Sequence, residues 1–73
     1  MKPMLNLHQQ FRAWQLCCVD HLSQTRVARL YDVSQGTISN IIKRLKEELA
    51  KIGEDAFKQK ALENGVDISM KEG

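Results

Sequence analysis

Polar side chains of the kinds that hydrogen-bond to nucleic acid recur between residues 34 and 44. Gln and Asn can make paired hydrogen bonds to adenine, Ser and Thr can contact several base edges, and Lys and Arg can neutralise phosphates or bind guanine. In a helix, about 100° per residue brings Gly36, Asn40 and Lys43 onto one face. We predict that this face enters the major groove of DNA. The residues of the predicted surface are Gln35, Gly36, Thr37, Ser39, Asn40, Lys43 and Arg44.

The predicted surface has a glycine at its start and a carboxylate at its end. Within a helix, glycine at position 36 should lower helix stability by about 1 kcal/mol relative to alanine. Its missing side chain, however, lets the protein backbone approach DNA. Glu47 falls on the same face and would repel phosphates. We therefore expect the DNA contacts to end near Arg44.

An apolar stripe lies opposite the polar face and must be buried. Its residues recur at the 3.6-residue period of a helix, which predicts that they form the core. The stripe consists of Ile38, Ile41, Ile42, Leu45, Leu49 and Ile52.

Two helices joined by a tight turn are predicted within Gln24 to Lys43. Ser23 can cap the first helix, and Ser34 can cap the second, by accepting from orphan backbone amides. Ala28 falls where the two helices would cross, and a larger side chain there would push them apart. Asp32 falls where the chain must reverse, and Asp is one of the few non-glycine residues that adopt left-handed geometry at modest cost. This pattern predicts a helix-turn-helix.

Residues Gln24 to Ile42 resemble the helix-turn-helix of phage Cro-type proteins, in the Gln-Thr opening, the alanine, the valine after the turn and the glutamine that follows. A longer stretch, Leu7 to Leu49, is similar to the amino-terminal DNA-binding domain of LysR-type regulators. The residues that carry this second resemblance are Ser23-Gln24-Thr25-Arg26-Val27-Ala28, Val33-Ser34-Gln35, Ile38-Ser39 and Arg44-Leu45-Lys46-Glu47-Glu48-Leu49.

The LysR-type resemblance implies a role for each matched polar residue. By that analogy Thr25, Arg26 and Ser34 would hold phosphates. The chain departs from the family in three further residues before Gly53, Ala50-Lys51-Ile52, and in lacking the long effector-binding region. The resemblance implies a DNA-binding fold rather than a metabolite sensor. The residues that would face bases are Gln35, Thr37, Ser39 and Asn40.

Charge is unevenly distributed along the chain. Residues 1–46 hold seven basic residues against two acidic ones, a net +5, whereas residues 47–73 hold four against seven, a net −3. Neutralisation of phosphates supplies much of the affinity of DNA-binding proteins, so the basic part fits a groove-facing motif. A solvated charge pattern without a partner is the alternative.

Composition indicates one small folded domain. The 73 residues are 42% hydrophobic and 27% charged, without a low-complexity run. A chain of this length buries only about 60% of its unfolded surface, so oligomerisation is a plausible source of stability. No apolar run approaches 20 residues and no secretory leader is visible, so we expect a cytoplasmic protein without membrane contact.

The first predicted helix runs from about Leu7 to His21, with Asn6 as a candidate cap. A second group of apolar residues falls on nearly the opposite side from the main stripe, so the helix is either buried on both sides or exposes a patch that another copy covers. We expect a homodimer. The main stripe is Leu7, Phe11, Trp14, Cys18 and Leu22, and the second group is Leu5, Leu16 and Val19.

The cysteines and histidines do not form a metal or catalytic pattern. Cys17 and Cys18 are neighbours, so on a helix they point about 100° apart, and with His21 they give no zinc-site spacing. Neither His8 nor His21 has a nucleophilic partner, and no glycine-rich phosphate loop is present. We expect no enzymatic activity, no cofactor, no metal and no small-molecule ligand.

Residues 54–73 are open to two interpretations, as a dimerisation segment or as a wing. Acidic residues followed by strong helix formers favour a fourth helix over Glu54 to Asn64, ended by Gly65. Asn64-Gly65 is also a hairpin turn signal, and the family resemblance favours a winged hairpin. We favour the helix, followed by a short edge strand from Val66 to Met70 that could pair with a second copy.

The sequence therefore predicts a mostly α protein with a three-helix helix-turn-helix core and a fourth helix or hairpin. We expect a small phage- or plasmid-type repressor that binds a near-palindromic operator on double-stranded DNA as a homodimer. Two alternatives remain open: a polymerase-associated factor resembling sigma region 4, and a protein-interaction module such as an antitoxin. Other helix-turn-helix subclasses also remain open.

Overall fold

The computed structural model describes residues 5–68 and contains four helices in that range. They are α1 (Leu7–Cys18), α2 (Gln24–Leu30), α3 (Gln35–Ile52) and α4 (Glu54–Glu63). No strand occurs within this range. The mostly α fold class is confirmed. Of the two structures considered after Gly53, a fourth helix or a winged hairpin, the helix is present, over Glu54–Glu63. None of the four helices is both long and apolar enough to cross a membrane.

Side-chain caps start the first three helices, as the sequence predicted. Asn6 accepts from the Gln9 backbone amide at 2.8 Å, and the Gln9 side chain accepts from the Asn6 amide at 3.0 Å, which completes a capping box. Ser23 accepts from Arg26 N at 3.2 Å at the start of α2. These bonds satisfy amides that have no partner within the helix.

Helix α1 ends earlier than predicted, at Cys18 instead of His21. His21 adopts a left-handed φ of 61°, so the helix cannot continue through it. The Leu22 backbone amide donates to Leu16 O at 2.9 Å and folds the chain back over the helix end. The apolar periodicity continued to Leu22 because this segment still packs against the core.

The turn between α2 and α3 is built on Asp32, at a φ of 55°. Val33 N donates to Ala28 O at 2.9 Å and Asp32 N donates to Arg29 O at 3.3 Å. This pair of bonds is a Schellman motif, in which the residue after the cap is left-handed. The predicted chain reversal at Asp32 is confirmed.

Helix α4 ends in a second Schellman motif, at Gly65. Val66 N donates to Ala61 O and Gly65 N donates to Leu62 O, both at 2.9 Å. The predicted edge strand from Val66 to Met70 is wrong for residues 66–68, which form no strand, and Ser69 and Met70 lie outside the described residues. Val66 and Ile68 are both 3% exposed, so the alternating pattern reflects packing of these two side chains onto the core and not strand pairing.

The core is a cluster of aromatic and aliphatic side chains drawn from every helix. Phe57 of α4 packs edge-on against Phe11 at a centroid distance of 5.3 Å and lies 5.0 Å from the ring of Trp14. Leu5, just before α1, is buried, and Leu16 and Val19 are half-buried against this cluster. Leu7 was predicted in the main stripe of α1 but is 46% exposed, because it lies in the first turn at the open groove beside α3. The remaining buried apolar residues are Ala13, Val27, Ala28, Ile38, Ile41, Ile42, Leu45, Ala61, Val66 and Ile68.

The apolar stripe of α3 is buried over most of its length. Ile38, Ile41, Ile42 and Leu45 are buried, and Leu49 is half-buried. Ile52 was predicted in the core but is 40% exposed, because α3 ends there and the chain turns at Gly53 into α4. Packing of this stripe fixes which face of α3 is turned outwards.

Candidate nucleic-acid interface

The start of α3 is ordered by hydroxyl groups. Ser34 Oγ accepts from the Thr37 backbone amide at 3.2 Å and lies 3.0 Å from Thr37 Oγ1. Ser34 is exposed, whereas Thr37 is half-buried. Both residues were predicted to contact DNA, Ser34 through a phosphate and Thr37 through a base. The structure shows both in a local capping arrangement, with the Ser34 side chain still accessible.

The outward face of α3 carries the polar residues that the sequence placed there. It lies opposite Ile38, which is fully buried. A Cβ added to Gly36 would meet Ser34 Oγ at 3.9 Å, an ordinary van der Waals distance. Nothing within the described chain therefore requires glycine at this position. The exposed residues of this face are Gln35, Gly36, Ser39, Asn40 and Lys43.

Two further predicted residues lie on α2. Thr25 and Arg26 occupy its first turn and are exposed. Because α2 packs on α3 through Val27 and Ala28, the first turn of α2 is held in a fixed position relative to the outward face of α3. Arg26 adds a cation at the start of α2, outside α3.

Arg44 differs from the other predicted contacts because its protein partner lies on another helix. Its Nη2 donates to Gln10 Oε1 of α1 at 2.9 Å. Gln10 is only 8% exposed, and its Nε2 donates to the Leu5 carbonyl at 2.8 Å. The predicted DNA-binding surface therefore ends at a hydrogen bond between Arg44 of α3 and Gln10 of α1, called the bridge below.

Gln10 was missed by the sequence analysis, although one signal was present. It lies four residues before Trp14 and three after Leu7, within the apolar stripe of α1. A polar side chain at such a position is buried and needs hydrogen-bond partners. The identity of those partners depends on packing between residues 34 positions apart, which local patterns do not encode.

An open groove runs between α1 and α3 on either side of this bridge. On one side it is lined by Leu5, Thr37, Asn40 and Ile41, together with the bridge residues. On the other side it is lined by Leu7, Leu45, Glu47, Glu48 and Lys51. The bridge thus marks the border between the uncharged polar part of α3 and its acidic part.

The acidic part of α3 and α4 is partly neutralised within the molecule. Glu48 pairs with Lys60, and Glu54 pairs with Lys58 at 3.3 Å. Glu47 is exposed on the outward face, beyond Arg44. Along α3, Glu47 and Glu48 thus follow Lys43 and Arg44, with Lys46 just before them and Lys51 after them.

The two cysteines are free thiols, half-buried at the end of α1. Burial raises the pKa of the Cys17 thiol, and Cys18 beside it raises this pKa further. Burial also raises the pKa of Cys18, partly offset by Lys46. Within residues 5–68, no three His, Cys, Asp or Glu side chains are grouped so as to hold a metal ion. The described part of the chain therefore offers no activated thiol.

Comparison of the chain with protein-family models, curated proteins and solved structures finds no match.

Proposed function

We propose that this protein is a sequence-specific DNA-binding transcriptional regulator whose α3 lies in the major groove. One observation carries the proposal. The outward face of α3 presents amide, hydroxyl and ammonium groups on a helix whose opposite face is fixed in the core. The side-chain amides of Asn40 and Gln35 can each make a pair of hydrogen bonds to adenine, and the Ser39 hydroxyl can contact several base edges.

Phosphate contacts complete the proposed interface. Lys43 lies on the outward face of α3, and Thr25 and Arg26 lie at the start of α2. Contacts from two elements fix the register of a protein on the duplex, while base contacts give it sequence preference. An arrangement with both kinds of group supports specific binding over a merely basic surface.

We further propose that the protein acts as a repressor, by occupying promoter DNA as a homodimer on a near-palindromic site. The size of the described domain supports self-association, because a domain of this size buries only about 60% of its unfolded surface by itself. Large apolar side chains are available for contact between copies, since Leu30 is 64% exposed and Leu62 is 55% exposed.

The experiment that tests this function compares duplexes from the protein's own upstream region with unrelated duplexes, at low and at physiological salt. We expect a preference of about 10³ or more that persists at physiological salt. Equal binding that salt abolishes would contradict sequence-specific recognition. Absence of binding to every duplex at low salt would direct the search to a protein partner.

Two substitutions separate the proposed base contacts from the phosphate contacts. Asn40→Ala should reduce sequence preference by about 1 to 3 kcal/mol, because a paired hydrogen bond to a base is lost. Lys43→Ala should weaken binding to all duplexes alike and lower the salt dependence of the binding constant. An equal loss on every sequence with Asn40→Ala would exclude base recognition by this residue.

A further inference from the structure

The bridge between α1 and α3 fixes the orientation of one buried amide. Gln10 uses both ends of its side chain, because Nε2 donates to Leu5 O and Oε1 accepts from Arg44 Nη2. Because the amide nitrogen donates to the Leu5 carbonyl, the amide oxygen is the atom that faces Arg44. Gln10 therefore presents a fixed acceptor to the guanidinium.

The partner of Arg44 is a neutral amide, so it does not compensate the charge of the guanidinium. The carboxylates nearest in sequence on α3 are Glu47 and Glu48, and Glu48 pairs with Lys60. Within residues 5–68, no carboxylate lies within 4.0 Å of the guanidinium. A guanidinium has five N–H donors, and the bond to Gln10 uses one of them. The Arg44 side chain is exposed, so the other donors remain available.

The position of Arg44 suits contact with DNA at the edge of the outward face of α3. It follows Asn40 by one turn and lines the groove together with Thr37 and Asn40. An exposed arginine ordinarily samples many rotamers, and fixing such a side chain on binding reduces affinity. A neutral buried acceptor fixes the guanidinium in advance without cancelling its charge.

We propose that Gln10 is a positioning residue that orients Arg44 toward a backbone phosphate at the edge of the major groove. This inference rests on the proposed DNA-binding function. Gln10 itself is buried and touches no DNA. It acts through the guanidinium, and it makes the packing of α1 against α3 part of the DNA interface.

The test measures duplex affinity over a range of salt concentrations for the full chain and three variants. Gln10→Met should weaken binding by about 2- to 12-fold, the cost of ordering one flexible side chain, with an unchanged salt slope because the charge remains. Gln10→Glu should lower the slope by about 0.9, because its carboxylate neutralises Arg44. Arg44→Met should lower both the affinity and the slope.

A double-mutant cycle distinguishes positioning from general support of the fold. If Gln10 acts through Arg44, Gln10→Met should have no further effect on affinity in the Arg44→Met background. A merely structural role predicts that the loss persists in that background. Fluorescence of Trp14 and circular dichroism at the binding temperature show that each variant is folded.

Two control variants complete the design. Gln59→Glu adds the same charge on α4, which carries none of the proposed contacts, and should leave the slope nearly unchanged. Ile42→Val destabilises the core without touching the bridge and should leave affinity unchanged at a temperature where it is folded.

The outcomes separate this inference from the function on which it rests. If the unmodified protein binds DNA but Arg44→Met leaves the slope unchanged, Arg44 contacts no phosphate and the inference fails alone. Additive effects in the cycle also overturn it. If the unmodified protein binds no duplex at low salt, the proposed function fails and the inference fails with it.

Discussion

Gly36 lies in the first turn of α3 at a position where the protein itself has room for a side chain. Glycine in a helix is destabilising by about 0.5 to 1 kcal/mol relative to alanine. Because Gly36 lies in the first turn and not in the middle of α3, Gly36→Ala should raise the free energy of unfolding by up to that amount. If α3 approaches DNA closely here, the same substitution should weaken duplex binding. Urea titration followed by Trp14 fluorescence gives the first quantity, and duplex titration gives the second.

The two measurements on Gly36→Ala have separate meanings. Greater stability with unchanged DNA affinity would show that no partner requires glycine at this position. Lower stability would show that the space beside Gly36 is less open than the structure indicates. Gly53 cannot serve as the matched control, because its φ of 91° strains any other residue.

Asp32 adopts left-handed backbone geometry that most residues avoid. Left-handed geometry costs most L-residues about 1 to 2 kcal/mol, Asp somewhat less, and glycine almost nothing. Asp32→Gly should therefore stabilise the protein by up to about 1 kcal/mol, despite the greater freedom of glycine in the unfolded chain. Urea titration measures the change.

A matched control for Asp32 is available just beyond α1. Asp20 is exposed and likewise follows a helix end, but its φ is not positive. Asp20→Gly removes the same charge without relieving backbone strain, so it should not stabilise the protein. Equal stabilisation by both substitutions would assign the gain to lost charge at the helix ends and not to backbone geometry.

At the scale of the element, two serine caps allow DNA binding to be separated from stability. Ser34→Ala and Ser23→Ala should each cost about 1 kcal/mol of stability, because each leaves a backbone amide without its acceptor. Ser34→Ala should also weaken duplex binding more strongly, since it frees the start of α3 and removes a proposed phosphate contact. Denaturant titration and duplex titration of both variants test this difference.

The comparison of the two caps has a clear negative result. If Ser23→Ala and Ser34→Ala reduce DNA affinity equally, the start of α3 has no special part in binding. Because the start of α2 carries Thr25 and Arg26, such a result would mean that the capped starts of α2 and α3 contribute alike to binding.

Local features of the elements could be predicted from sequence, and tertiary features could not. The caps at Asn6, Ser23 and Ser34 and the reversal at Asp32 involve groups a few residues apart, so their chemistry is visible in the chain. The end of α1 was missed because the apolar periodicity continues to Leu22, although histidine is among the residues enriched in left-handed geometry.

The partners of buried groups were harder to predict. Phe57 was not assigned to the core because its contacts with Phe11 and Trp14 come from docking of α4. The Gln10–Arg44 bond likewise depends on how α1 lies on α3. The outward face of α3 was predicted correctly because the same periodicity that buries Ile38 and Ile42 exposes the residues opposite.

At the scale of the molecule, three half-buried groups couple stability to alkaline pH. Burial raises the pKa of Tyr31, partly offset by Arg12, and burial also raises the pKa values of Cys17 and Cys18. The folded state thus favours the neutral forms. As pH rises past the ordinary thiol pKa, the unfolded chain loses protons first, so stability that is fully present at neutral pH declines.

Thermal denaturation across the alkaline range measures this decline. The double variant Cys17→Ala with Cys18→Ala should lose the part of the decline in stability that begins at the lower pH, where thiols ionise. The part at higher pH, where Tyr31 ionises, should remain. A decline of the same size in the double variant would mean that the thiols do not contribute.

A homodimer would impose its symmetry on the DNA site, which gives a prediction for the whole molecule. Two copies related by a two-fold axis would place their α3 helices about 34 Å apart, one turn of DNA. Selection from random duplexes should therefore recover inverted half-sites whose centres lie about 10 base pairs apart. A half-turn insertion between the half-sites should abolish tight binding, because the second α3 would face the wrong side of the duplex. A full-turn insertion serves as the control for length, since it returns both half-sites to one side. Recovery of single, unpaired sites, with a monomer by sedimentation equilibrium, would show that one copy suffices.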